Sequence, residues 1–199
     1  SFTAALSSGA ESVASAVLQV DLSGESSQDV TVAYAVSGTA TGGGVDYTLA
    51  NGTLTIAAGS TTGTITIAGI VEDAIDELDE TVIVTLSAPT NASLGATTVH
   101  TYTILDNDAT PTVSFSAALS SGAESVASAG LQVDLSGESS QAVTVAYAVT
   151  GTATGGGVDY TLANGTLTIA AGSTTGTITI AGIVEDAIDE LDETVIVTL

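Results

Sequence analysis

The sequence predicts an all-β protein: two tandem antiparallel β-sandwiches of about seven strands each, stacked end to end. Three observations carry that reading. Apolar residues recur at every second position, the signature of strands with one buried face. Turn-forming clusters such as Gly42-Gly43-Gly44 and Asn51-Gly52 separate those stretches. Residues 1–86 then return almost unchanged as residues 114–199, a period of 113 residues, which is the size of one domain.

Within one unit the strands follow from the alternation. Phe2, Ala4 and Leu6 predict a first strand. Leu18, Val20 and Leu22 predict a second, with Gln19 and Asp21 facing out. Val30, Val32, Tyr34 and Val36 form a third, and Leu54 and Ile56 a short fourth. Ile65 and Ile67 alternate with Thr64 and Thr66 in a fifth. Val82, Val84 and Leu86 mark a sixth, and Tyr102 and Ile104 a seventh. Seven short strands without a helical pattern read as a sandwich. The domains are expected at 1–108 and 114–199, joined by a linker at 109–113 that Pro111 stiffens by fixing φ. The second copy stops at Leu199, before any counterpart of Ser87–Val113. A longer array is expected, with the last strand of the second unit coming from further sequence or from a neighbouring chain.

Only four of the paired positions differ between the copies: Thr3/Ser116, Val17/Gly130, Asp29/Ala142 and Ser37/Thr150. Repetition this close suits a chain that gains length from stacked units. It gives a catalytic chain little.

Charge narrows the partners. There is no Lys and no Arg against 23 acidic residues, a net charge of −23. Nothing here neutralises a phosphate, so nucleic acid and direct contact with anionic lipid are excluded as electrostatic partners. The chain has no Cys, so disulfides are excluded. No apolar run approaches the roughly 20 residues that cross a bilayer. No basic segment followed by an apolar stretch opens the chain, and any secretion signal is expected outside it.

Strand parity sorts the loops. If consecutive strands alternate in direction, the first, third and fifth connections share a pole with the end of the seventh strand. The acids concentrate there. Glu11 lies in the first connection and Asp46 in the third. Glu72, Asp73, Asp76, Glu77, Asp79 and Glu80 crowd the fifth, and Asp106 and Asp108 follow the seventh strand. With no basic side chain to relieve them, these carboxylates repel one another unless a cation joins them. Hard oxygen donors in that number suit Ca²⁺, which accepts 6–8 oxygens in flexible geometry.

Four stretches carry a family resemblance. Gly38-Thr39-Ala40-Thr41-Gly42-Gly43-Gly44-Val45-Asp46-Tyr47 resembles a signature of Calx-β domains. So do Thr53-Leu54-Thr55-Ile56-Ala57-Ala58-Gly59, the acidic run Val71–Glu80 leading into Thr81–Leu86, and the closing Ile104-Leu105-Asp106-Asn107-Asp108. The resemblance spans the whole repeat and implies an immunoglobulin-like sandwich with Ca²⁺ at the pole that carries the linker. Matched position by position, it implies Glu11, Asp46, Asp73, Glu77, Asp106 and Asp108 as ligands, and Glu124, Asp159, Asp186 and Glu190 in the second copy. Glu80 would support the loop. Val82 stands where the family often has Phe, and Asn107 interrupts the closing acid run.

His100, in the seventh strand, lies six residues before Asp106, ~20 Å from the pole at strand rise. It is expected to be a hydrogen-bonded sheet residue, and no catalytic set is read anywhere in the chain. The expected function is a structural, adhesive, calcium-binding repeat of a long extracellular or cell-surface protein. Its partners would be neighbouring repeats and, in a fibre, identical chains. The alternative is a calcium-sensing regulatory domain of a membrane transporter.

Overall fold

The computed structural model describes residues 1–186 and 191–199. It contains strands and no helix among the described residues. Contacts divide it into two units. The first is Ser1–Asp73 with Leu78–Asn107, and the second is Ala74–Glu77 with Asp108–Leu199.

The first unit has seven strands: β1 (Leu6–Ala10), β2 (Ser15–Asp21), β3 (Val30–Gly38), β4 (Gly52–Ile56), β5 (Thr62–Ala68), β6 (Glu80–Thr90) and β7 (Val99–Leu105). They form a five-stranded sheet in the order β1-β7-β6-β3-β4, facing a two-stranded sheet of β2 and β5. The alternation decides which side chains meet between the sheets. Leu18, Val20, Ile65 and Ile67 project from β2 and β5, while Val32, Ile56, Val82, Val84, Leu86, Tyr102 and Ile104 come from the larger sheet. Thr64 and Thr66 stay exposed, as outward positions should. Full burial of each such aliphatic side chain contributes roughly 1.5–3 kcal/mol.

Two details differ from a plain antiparallel meander. Phe2 and Leu6 do not share a strand. Phe2 is 3% exposed and bridges Val20 in the smaller sheet, whereas Leu6 is 73% exposed and opens β1 in the larger one. The chain changes sheets between them, at small residues that tolerate the crossing. Moreover, β1 pairs with β7 in parallel, from Leu6↔Thr101 to Ala10↔Leu105. That direction is what an odd strand count requires, and it brings the ends of both strands to one pole.

Gly38 ends β3 at φ 135°, and a Cβ there would meet the Thr81 carbonyl oxygen at 2.0 Å. Only glycine lets the chain leave β3 so close to β6. A bulge between Thr31 and Ala33 re-aims the opposite end of the β3–β6 pair.

The second unit has β8 (Val113–Phe115), β9 (Ser128–Leu135), β10 (Val143–Gly151), β11 (Gly165–Ile169), β12 (Thr175–Ala181) and β13 (Val195–Thr198). Its sheets run β11-β10-β13 and β12-β9-β8. Val133, Leu135, Ile169 and Ile178 form its core. Within this unit Asp76 bridges Ser139: its N–H donates to the Glu138 carbonyl, and its Oδ2 accepts the Ser139 hydroxyl at 2.9 Å.

Candidate metal centre

The parallel β1–β7 pair builds the site. Register carries Ala10 beside Leu105, and the Glu11 N–H donates to the Leu105 carbonyl at 3.0 Å. Glu11 therefore emerges next to Asp106, with Asp108 two residues further along. One carboxylate oxygen from each lies within 4.8 Å of the others. Glu11 is 5% exposed, and Glu11 Oε1 and Asp108 Oδ2 are buried atoms.

Three carboxylates this close repel by roughly 3 kcal/mol per pair even at an effective dielectric near 20. The sequence offers no lysine or arginine to offset that. A cation does. Oxygens around one Ca²⁺ sit 2.3–2.6 Å from it, so they lie at most about 5 Å apart. The 4.8 Å grouping satisfies this limit with an all-oxygen donor set. Glu11, Asp106 and Asp108 thus fit a hard divalent ion, Ca²⁺ in particular.

Neighbouring acids hold the frame. The Asp106 N–H donates to Asp79 Oδ1, and Asn107 Nδ2 donates to Glu72 Oε1, each at 3.1 Å. These bonds tie the loop after β5 to the segment after β7. Asp79 and Glu72 were legible only as members of an acidic run; nothing in the pattern singled out their partners. Glu80 begins β6, in register with Ile104.

That group holds three of the residues implied by the resemblance, and the others have surroundings of their own. Asp46 closes its own glycine-rich turn: Oδ2 accepts the Thr41 N–H at 2.5 Å, and its N–H returns to the Thr41 carbonyl. Its carbonyl accepts from the Val71 N–H, which fastens that turn to the segment after β5. Asp73 is exposed, and Glu77 falls in the segment Ala74–Glu77 that clusters with the second unit. In the second unit Asp159 repeats the role of Asp46, accepting the Thr154 N–H at 2.6 Å. Glu124 and Asp186 are exposed. Glu190 lies outside the described residues.

His100 is buried in β7. Its Nδ1 lies 2.7 Å from the Ala4 carbonyl and its Nε2 2.7 Å from Ser7 Oγ. A carbonyl only accepts, so Nδ1 carries the proton and the Ser7 hydroxyl donates to Nε2. Phe2 packs on the ring at 5.4 Å between centroids. This is the hydrogen-bonded sheet histidine that the sequence suggested, and it fastens β1 to β7.

The Calx-beta domain profile matches residues 1–108 and again 106–199. The chain belongs to the Calx-beta family. It is a tandem of two such domains. Solved structures agree on the fold. CBD12 from CALX1.2 aligns with a TM-score of 0.50 at 22% identity, covering 94% of this chain and 75% of that one. The calcium binding domain CBD12 of CALX1.1 aligns with a TM-score of 0.50 at 24% identity, covering 92% and 74%. No curated protein matches the sequence.

Proposed function

We propose that this Calx-beta tandem is a non-catalytic, calcium-binding structural module of a long extracellular or cell-surface protein. In this reading Ca²⁺ at the pole leading into the linker stiffens an array of repeats. The observation that carries it is the Glu11–Asp106–Asp108 group, three carboxylates drawn together by the β1–β7 pairing in a chain without basic side chains. Asp106 and Asp108 stand directly before Ala109-Thr110-Pro111-Thr112, so an ion on them anchors the start of the linker. The near-identity of residues 1–86 and 114–199 favours a length-building role. A transporter sensor has no need of copies this alike. The further ligands Asp46, Asp73 and Glu77, and Glu124, Asp159, Asp186 and Glu190 in the second copy, belong to the same proposal.

The test is thermal melting of the 199-residue chain in Ca²⁺ and in chelator. Extracellular modules bind Ca²⁺ at about 10⁻⁴–10⁻³ M. An ion that binds only the folded state at a hundredfold excess over Kd stabilises by about 2.7 kcal/mol. Melting should rise by roughly 10 °C for a domain of this size. Asp106→Asn should abolish most of that rise and leave melting in chelator unchanged or higher, since it removes a repulsion. Small-angle scattering on the same samples should report a larger maximum dimension with Ca²⁺. Identical melting curves with and without the ion would refute the calcium reading.

A further inference from the structure

The outward face of the five-stranded sheet carries no charge, in a chain with 23 acidic residues. Glu80 is the single acid within β1, β3, β4, β6 and β7, and it shares the inward parity of Val82 and Val84. The positions that alternate with the core are small, hydroxyl or aliphatic. β6 and β7 turn Thr81, Ile83, Thr101 and Thr103 outward, in register Ile83↔Thr101 and Thr81↔Thr103. Leu6, 73% exposed, stands beside Thr101, and Val99 is 42% exposed. The acids stand beyond the strand ends: Glu11 after β1, Asp29 before β3 and Asp106 after β7. An uncharged, partly apolar patch inside a charged perimeter has the composition of an interface core.

Charge, repetition and size name the occupant. A second copy brings no lysine or arginine, so copies of this chain repel wherever their acids oppose one another. On this face two copies meet without opposing acids, and the perimeter charges stay in solvent, where salt screens them. The face is also repeated. β10 and β11 match β3 and β4 residue for residue except that Thr150 replaces Ser37, which keeps the hydroxyl. The β2–β5 face is not kept in this way: Asp21 stands on it, and Val17, 61% exposed, becomes Gly130. A partner with the same face at the same 113-residue period is another copy of the chain. Five strands at about 4.8 Å spacing and about 3.4 Å per residue make a face of roughly 600 Å², so a pair buries about 1,200 Å², the lower end for specific interfaces. We propose that the outward face of β1-β7-β6-β3-β4 is a docking surface for the same face of a second copy, packed sheet against sheet. The contact is isologous, and its small side chains let the two sheets approach to about 10 Å. A single contact of this size is weak, and successive repeats multiply it. The inference goes beyond the calcium reading and stands without it.

The experiment is sedimentation equilibrium of the 199-residue chain in chelator, from about 10 µM to about 1 mM protein. Reversible dimerisation is expected, with Kd on the order of 100 µM and about tenfold tighter at about 500 mM NaCl than at about 50 mM, as screening relieves the acids. Ala35→Glu with Ala148→Glu puts one acid on the face of each unit, at exposed outward positions, and should weaken association more than about tenfold. Thr64→Glu with Thr177→Glu adds the same charge to the exposed outer side of β5 and β12, and should leave association within about twofold. In the unaltered chain, amide resonances of Ala35 and Thr101 should shift with concentration while those of Thr64 and Thr66 stay fixed, a readout independent of how the variants fold. A chain that stays monomeric to about 1 mM overturns the proposal, whatever else the face binds. Equal weakening by the two variant pairs, association that loosens with added salt, or shifts confined to β5 would each overturn it too.

Discussion

Tyr47 and Tyr102 show how single side chains tie turns and strands to the core. Tyr47, 4% exposed, sits at the end of the glycine-rich turn. Tyr102 reaches β1, where a Cβ on Gly9 would meet its hydroxyl at 2.3 Å, so a larger residue there would displace the phenol tip. Burial pushes both phenols above their ordinary value, and the neighbouring Asp46 charge adds to the effect at Tyr47. A raised pKa means that the folded state favours the neutral phenol. That stability is fully present below the unfolded value of about 10 and is lost as pH rises through the folded value. Phenolate absorbance should therefore show some of the five tyrosines ionising late, together with loss of near-ultraviolet dichroism. Tyr47→Phe should remove one late ionisation. Ionisation of all five at the ordinary value would contradict this account. Asp21 moves the other way: hydrogen bonds from Gln19 and Thr3 hold its exposed carboxyl low.

At the scale of elements, β1 is held by side-chain bonds as well as by its ladder with β7. It is an edge strand with Leu6 exposed, and His100 holds it through Ser7 and Ala4. His100→Ala should cost about 1–3 kcal/mol, the penalty for leaving buried polar partners unmet. Amide exchange should accelerate at Ala4–Ala10 and change little in β3. Uniform acceleration across the sheet would show that His100 supports the whole domain and not β1 specifically. Legibility follows the same division. Strands β2, β5, β6 and β7 were readable because Leu18/Val20, Ile65/Ile67, Val82/Val84 and Tyr102/Ile104 alternate strictly between buried and outward positions. β1 was not, because Leu6-Ser7-Ser8-Gly9-Ala10 has no apolar period and its place comes from bonds to β7. At the candidate site, parity puts the ends of the first and seventh strands at one pole, and the resemblance names Glu11, Asp106 and Asp108 among the acids gathered there. The resemblance, not the alternation, points to Asp46, whose carboxylate accepts the Thr41 N–H of its own turn.

At the scale of the whole molecule the dominant quantity is the charge of −23 with no lysine or arginine. Self-repulsion of that kind destabilises the compact state and is sensitive to ionic strength. Raising NaCl from about 10 mM to about 150 mM shortens the screening length from about 30 Å to about 8 Å. Melting in chelator should therefore rise over that range and level off above it, once repulsion between separate surface acids is screened. Repulsion inside the Glu11–Asp106–Asp108 group acts over less than 5 Å and partly out of solvent, so monovalent salt leaves most of it in place. Adding about 1 mM Ca²⁺ at 150 mM NaCl should then raise melting further, and the same ionic strength of extra NaCl should not. The two increments separate the mechanisms: the first belongs to the surface as a whole, the second to the pole where β1 and β7 end. If melting were flat between low and moderate salt, self-repulsion would not limit this fold. If extra NaCl matched Ca²⁺, the carboxylate group would be acting as ordinary surface charge.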